Sequence, residues 1–279
     1  MSNTPDQRGP DDILQWSGHG GPVQVRVYRS VAKHAQDALL VFFHPGGFVV
    51  EDSEASDGCL RVLADACGLD VLAPSYALAP EHPFPAAVED AHAVLKQAVK
   101  QRAHLSWSGR HLFVGGVEAG GNLAAVSALV CRDRQGPALA GQILVMPMLD
   151  ASLHCPSMRC AADQPQTRGV VDALERGYRS YLPRPADRLH PYASPLNASR
   201  LAQLAPALIL YTEGDPLSDE GRAYAGKLRL AGNAVELFGL PPADVADDEQ
   251  RCSITADDPC VTTMKRFLDA HRQAPPPSA

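Results

Sequence analysis

Residues 112–124 read Leu-Phe-Val-Gly-Gly-Val-Glu-Ala-Gly-Gly-Asn-Leu-Ala, an apolar run that continues through small residues into a helical segment. Unbroken apolar character predicts a strand that is covered on both faces, as in a parallel sheet. The small residues on both sides of Glu118 permit a sharp turn between strand and helix. The stretch therefore predicts a strand–turn–helix unit with Glu118 at the turn.

The rest of the chain repeats this order of apolar run and amphipathic segment. Further apolar runs predict strands at 38–43, 70–74, 143–146, 207–211 and 234–238. Apolar residues at three- and four-residue spacing predict helices over 84–98, 219–231 and 261–268. Alternating strands and helices predict an α/β fold with a mostly parallel, doubly wound sheet.

Two regions depart from this order. Residues 13–30 predict a β-hairpin, because 24–28 alternate in polarity after a glycine-rich turn. Residues 150–205 form an insertion with several prolines and one helical stretch, 170–181, and we expect it to cover a site at the carboxyl ends of the strands. We interpret residues 1–272 as a single domain and 273–279 as a disordered tail.

The composition of the chain argues against several classes of partner and cofactor. The chain has 279 residues, 45% of them hydrophobic, and a formal net charge of −7 without a basic run, so neither nucleic acid nor an anionic membrane is an expected partner. A polar amino terminus and the lack of a long apolar run predict a cytoplasmic protein. Seven cysteines without C-x-x-C spacing suggest neither a disulfide framework nor a zinc site, and no cofactor is predicted.

Three further motifs accompany the turn at Glu118. His44-Pro45-Gly46-Gly47-Phe48 directly follows a predicted strand, and its glycines allow backbone N–H groups to face a cavity. Residues 76–87 connect a strand to a helix through several prolines, and we assign them no direct chemistry. Asp215 lies just after the strand at 207–211, where an aspartate can orient a catalytic histidine.

Together these segments resemble the hormone-sensitive-lipase-like branch of the α/β-hydrolases, also called α/β-hydrolase fold-3, whose members are ester hydrolases. The family patterns are H-G-G-G-F, Y-R-L-A-P-E-H-x-F-P-A-A, G-D-S-A-G-G-N-L-A and D-P-L-x-D-E, and the match extends over residues 20–272. The resemblance implies that the amides of Gly46, Gly47 and Ala119 form an oxyanion hole and that Asp215 is the acid of a catalytic triad. It also implies a cap over the site, built partly from residues 150–205.

Two of the three triad positions differ from the family. Glu118 stands where the resemblance places the nucleophilic serine. The family histidine is expected shortly after the strand at 234–238, but no histidine occurs between Asn233 and Ala270. His271 lies beyond the expected loop, and His154 or His190 in the insertion could act as a base only if the fold brings one of them to the site.

Several roles for Glu118 remain open. Its carboxylate could enter the oxyanion hole and accept hydrogen bonds from Gly46 and Gly47, which would hold it charged and unreactive. We favour this over a nucleophilic role, because an ester at Glu118 would lack a histidine to activate water. Glu118 and Asp215 alone make a poor metal site, so none is predicted.

The sequence therefore predicts a pseudoenzyme that binds a small acyl- or ester-like ligand or a protein partner, as gibberellin receptors of this family bind without the histidine. The alternative is an active esterase or lipase-like hydrolase that uses Glu118. A third possibility is a structural role through homodimerisation at a sheet edge or terminal helix.

Overall fold

The computed structural model describes residues 8–31, 36–241 and 255–273. Within these ranges, eight strands form one sheet in the order β1-β2-β4-β3-β5-β6-β7-β8. The strands are β1 Asp12–Ser17, β2 Pro22–Tyr28, β3 Ala38–Phe43, β4 Asp70–Pro74, β5 His111–Val117, β6 Gly141–Val145, β7 Ala207–Thr212 and β8 Val235–Leu240. From β4 to β8 all neighbouring strands are parallel, so the predicted sheet is confirmed.

The antiparallel part of the sheet lies at one edge. β1 pairs with β2 as the predicted hairpin, with Trp16 opposite Val23, and β2 pairs antiparallel with β4. The hairpin therefore extends the parallel sheet by two strands.

Helices cover both faces of the sheet. They are α1 Asp57–Cys67, α2 Ala86–Lys100, α3 Ala119–Asp133, α4 Pro156–Ala162, α5 Pro165–Tyr181, α6 Ser218–Leu230 and α7 Pro259–Arg272, with 3-10 segments at Pro185–Leu189 and Pro195–Asn197. α1 and α4 are not among the helices predicted from the sequence, and α5 begins five residues before the predicted 170. None of the helices in the described ranges is long and apolar enough to cross a membrane. Gln273 follows α7, and the rest of the predicted tail lies outside the described residues.

Strand β3 shows why the apolar runs are continuous. All six of its residues are buried, and they contribute alternately to two hydrophobic clusters. Leu39, Val41 and Phe43 pack with α2, α3 and α6, whereas Leu40 and Phe42 pack with α1 and α7. A strand buried on both faces needs apolar residues at every position, because its side chains point to alternate faces.

The parallel order places three loops together. β3 and β5 are hydrogen-bonded neighbours, and β6 alone separates β5 from β7. Because parallel strands end at the same edge, the loops after β3, β5 and β7 meet there. These loops contain Gly46, Glu118 and Asp215, respectively.

Candidate active site

Glu118 occupies a tight turn between β5 and α3. Its φ and ψ angles are 56° and −112°, which a side chain rarely adopts. Three backbone hydrogen bonds fix the turn: the Glu118 amide donates to the Val145 carbonyl at 3.0 Å, and the Glu118 carbonyl accepts from Asn122 at 3.0 Å and from Met148 at 3.1 Å. The turn therefore holds Glu118 at the edge of the sheet.

Gly120 allows the first turn of α3 to lie directly against the end of β3. A Cβ atom at Gly120 would overlap the backbone carbonyl of Phe43. This close approach brings residues 44–48 beside the turn at Glu118. We call these residues the oxyanion loop after the oxyanion hole that the family resemblance predicts there. The small residues quoted from the sequence thus determine the distance between the two loops.

The Glu118 carboxylate points at the oxyanion loop. The amide of Gly46 donates to Glu118 Oε2 at 3.2 Å, and Oε1 lies 3.8 Å from the position that a Cβ atom on Gly47 would take. The predicted hydrogen bond from Gly46 is therefore present. The bond expected from Gly47 and the role of the Ala119 amide as a donor stay predictions. An N–H donor favours the charged form of the carboxylate.

The oxyanion loop is a left-handed turn that a neighbouring tyrosine supports. Gly46 and Gly47 have φ angles of 116° and 58°. The Tyr76 ring stacks on the His44 ring with centroids 4.3 Å apart, and the Tyr76 hydroxyl donates to the His44 carbonyl at 3.0 Å. Burial raises the pKa of Tyr76 well above its ordinary value, and the charge of Glu118 raises it further, so the hydroxyl keeps its proton.

This role of Tyr76 was not predicted from the sequence. Residues 76–87 were assigned no direct chemistry, and their contribution is indirect. Its position in the sequence was the available signal. Tyr76 lies two residues after β4, and β4 is a parallel neighbour of β3, so Tyr76 lies at the same sheet edge as the loop after β3. His44 is also buried, and its Nδ1 lies 2.5 Å from the Pro45 carbonyl, while burial lowers the pKa of the ring. A neutral His44 thus supports its own loop.

Asp215 lies in the turn between β7 and α6. Its Oδ1 accepts from the Leu217 amide at 2.8 Å, and its backbone amide donates to Thr212. The side chain is half-buried. The structure thus places Asp215 at the same sheet edge as Glu118, and its role as a triad acid stays a prediction.

Both candidate histidines of the insertion have exposed side chains, and a role for either as a base stays a prediction. His154 directly precedes Cys155, whose thiol lies 3.7 Å from the carbonyl oxygen of Pro216, the residue after Asp215. In His190, Nδ1 accepts from the Tyr192 amide at 3.0 Å while the ring lies 5.2 Å from that of Phe84. His271 packs against Phe267 within α7. The segment after Pro241, where the family histidine was sought, lies outside the described residues up to 254, and its sequence contains no histidine.

The insertion covers the oxyanion loop, as expected. A Cβ atom at Gly177 of α5 would lie 2.5 Å from the Gly47 carbonyl oxygen, so α5 rests directly on the loop. The Phe48 ring stacks on Tyr181 with centroids 3.9 Å apart, and Phe84 meets Tyr181 edge-on at 5.8 Å. These contacts make the cap and the loop one packed unit.

Comparison with known proteins identifies the family of the chain. The sequence model of the alpha/beta hydrolase fold family matches residues 40–242. The chain belongs to this family. This α/β-hydrolase is 37% identical over 236 residues to ethyl acetate hydrolase from Pseudomonas putida. The alignment covers 82% of this chain and 73% of the relative. It is 40% identical over 232 residues to carboxylic ester hydrolase LipN from Mycobacterium tuberculosis, covering 80% of the chain and 60% of the relative.

Solved structures give the same relationship for this α/β-hydrolase. The hyperthermophilic esterase from the archaeon Pyrobaculum calidifontis superposes with a TM-score of 0.83 at 33% identity, covering 94% of this chain and 86% of that one. A thermostable esterase from Pseudomonas putida gives a TM-score of 0.84 at 30% identity, covering 96% and 85%. The chain is therefore related to carboxylic ester hydrolases in sequence as well as in fold.

Proposed function

We propose that this α/β-hydrolase binds a small acyl- or ester-like ligand without hydrolysing it by the serine–histidine–aspartate route. The observation that carries the proposal is the hydrogen bond from the Gly46 amide to the Glu118 carboxylate. In this interpretation Glu118 occupies the oxyanion hole that Gly46, Gly47 and Ala119 form in the family. The relatives are named as hydrolases, so the proposal concerns what this chain has lost.

The chemistry of ester cleavage supports this interpretation. A serine hydroxyl needs a base to remove its proton, and the same base later protonates the leaving group. Glu118 cannot supply that hydroxyl, and the sequence has no histidine between Asn233 and Ala270, where the family places the base. The Gly46 amide also makes the Glu118 carboxylate less reactive. Its hydrogen bond stabilises the negative charge, which the carboxylate would lose if it attacked a substrate as a nucleophile.

An active hydrolase that uses Glu118 is the second candidate. The names of the relatives favour it, since they include an ethyl acetate hydrolase and a carboxylic ester hydrolase. In such an enzyme Glu118 would act as a general base toward water or as a nucleophile. Gly46 would then have to release the carboxylate before the oxyanion hole could accept a substrate carbonyl.

Hydrolysis of nitrophenyl acetate and nitrophenyl butyrate separates the two candidates. We expect the unmodified protein, Glu118→Ala and Glu118→Ser to hydrolyse both esters no faster than buffer, because the last variant restores a hydroxyl but no histidine. Turnover by the unmodified protein that Glu118→Ala abolishes would establish the second candidate. High activity of Glu118→Ser would show that another base serves the site and would also contradict the proposal.

Ligand binding needs its own measurement. We expect butyrate, as an acyl-like probe, to raise the thermal unfolding temperature of Glu118→Ala more than that of the unmodified protein, since the variant frees the Gly46 amide. Glu213→Ala is the matched control, because Glu213 is an exposed glutamate after β7 that pairs with Arg222. Equal shifts in the three proteins would mean that Glu118 does not occupy a ligand site.

A further inference from the structure

Glu220 buries a carboxyl group beneath the cap, in the first turn of α6. Its side chain has no exposed surface, and Oε2 accepts from the amides of Leu149 at 2.6 Å and Asp150 at 2.9 Å. Leu149 and Asp150 follow β6, where the chain leaves the sheet for the cap. Glu220 therefore ties the base of the cap to α6.

The other carboxyl oxygen has a different environment. Glu220 Oε1 is buried and has no hydrogen-bond partner within the described part of the chain. The hydroxyl of Tyr178 on α5 is likewise fully buried and without a partner there. The charge of Glu220 is among the causes that raise the pKa of Tyr178, so the two groups lie within electrostatic reach of each other.

The groups that face Glu220 from the surrounding elements are acidic or neutral. Among the described residues they are Asp150 in the loop after β6, Asp215 in the turn before α6, Tyr178 on α5 and the thiol of Cys155 before α4. Burial raises the pKa of Glu220 to about 8, and the negative charges of Asp150 and Asp215 add to this against the two amide donors.

The unpartnered oxygen favours a proton on Glu220. In an ionised carboxylate, Oε1 would be a buried anionic atom without a donor, which is costly. The two amides on Oε2 and the amino-terminal end of α6 favour the charge, but they leave Oε1 unsatisfied. A neutral carboxylic acid carries no charge on either oxygen, so a proton on Oε1 is the less costly state of this buried group.

We propose that Glu220 is a positioning residue, held as a neutral carboxylic acid near pH 7, and that its ionisation in mildly alkaline solution loosens the base of the cap from the turn that carries Asp215. The proposal is independent of whether the site hydrolyses an ester. It links the protonation of a residue outside the oxyanion loop to the packing of the cap.

The direction of the pH effect follows from linkage. The carboxyl binds its proton more tightly in the folded state than in the unfolded state, where its pKa is ordinary. The folded state therefore holds more protons between the two pKa values, and stability falls as the pH rises across that range. The fall is complete once the pH exceeds the folded pKa of about 8.

Thermal unfolding between about pH 5 and pH 9 tests the proposal with three variants. We expect the unfolding temperature of the unmodified protein to fall by several degrees over this range. Glu220→Gln keeps the shape of the neutral acid. Its unfolding temperature should therefore stay high as the pH rises, without the part of the decrease that ionisation of Glu220 causes. Glu220→Ala should be less stable throughout, whereas the exposed control Glu213→Gln should follow the unmodified protein.

A direct titration covers the case in which a variant does not fold. In protein labelled with carbon-13 at the glutamate side-chain carboxyls, we expect one buried carboxyl to titrate near pH 8, at the pKa of Glu220. Its signal should be missing from Glu220→Gln. The proposal is wrong if every glutamate titrates in the ordinary range, or if Glu220→Gln keeps the pH dependence of the unmodified protein.

Discussion

The oxyanion loop and the turn at Glu118 lie side by side at one edge of the sheet, but they depend on the sequence in different ways. The loop acts through a backbone amide, that of Gly46, and needs only a chain that can adopt its left-handed turn. The turn presents a side chain, and its chemistry changes with the single residue at position 118. The loop forms its left-handed turn with Pro45 in place of the first glycine of the family pattern, whereas Glu118 puts a carboxylate where the family pattern has a serine.

This difference determines what a substitution can change in each of the two regions. Backbone N–H groups persist under most substitutions, because nearly every residue carries one. A nucleophile and its base are particular side chains, and each must be present. In this chain the persistent donor at Gly46 binds the substituted side chain, so the two regions form an internal donor–acceptor pair.

The largest expected effect comes from separating the two regions. Gly120→Ala would force α3 away from the Phe43 carbonyl, and we expect a loss of about 3 kcal/mol or more in the free energy of unfolding. Chemical denaturation measures this loss. Gly226→Ala in α6 is the control: nothing lies within 4 Å of its added Cβ, so it should gain about 0.5–1 kcal/mol. Equal losses in the two variants would mean that the close approach at Gly120 is not what holds the regions together.

An effect of intermediate size separates the contribution of the backbone at position 118 from that of its side chain. Glu118→Ala and Glu118→Gly both remove the carboxylate, but only glycine relieves the positive φ angle of 56°. We expect the glycine variant to be more stable than the alanine variant by about 1 kcal/mol, since the strain it relieves exceeds its greater entropy when unfolded. Equilibrium unfolding in urea compares them. A less stable glycine variant would show that the turn is not strained.

The smallest effect concerns the cap over the oxyanion loop. The Tyr181 ring stacks on Phe48, but its buried hydroxyl has no partner within the described residues. Tyr181→Phe keeps the ring and removes an unsatisfied group, so we expect a change within about 0.5 kcal/mol, toward greater stability. Equilibrium unfolding in urea measures this change, and Tyr181→Leu is the positive control, because it loses the stacking as well and should cost about 2 kcal/mol. A large loss in Tyr181→Phe would reveal a partner for the hydroxyl.

Much of the fold could be predicted because its signals are local. The apolar runs at 38–43 and 70–74 coincide with β3 and β4, since strands covered on both faces need apolar residues throughout. Helix α1 was missed because its segment carries charged and small residues among the apolar ones, including a buried arginine, Arg61. That arginine donates to backbone carbonyls of distant residues, a partnership that sequence spacing does not reveal.

Part of the site could also be predicted, because some of its residues lie in motifs directly beside strands. Gly46, Glu118 and Asp215 could be located from motifs beside strands, whereas the roles of Tyr76 and Glu220 could not. Glu220 did leave a signal: it lies four residues before Tyr224 and eight before Leu228, on the buried face of α6. A glutamate on such a face indicates a buried carboxyl group, although its donors are 70 and 71 residues away in the chain.

The sequence by itself determined the order of strands and helices, the family resemblance, and the absence of both the serine and the expected histidine from their motif positions. These properties depend on neighbouring residues and their spacing. The tertiary structure alone decided where the Glu118 carboxylate points, because the amide that binds it lies 72 residues away. It also decided that the ring of His190 packs beside those of Phe84 and Tyr192. The direction of a side chain depends on the segments that fold around it, and these meet only when the sheet is assembled.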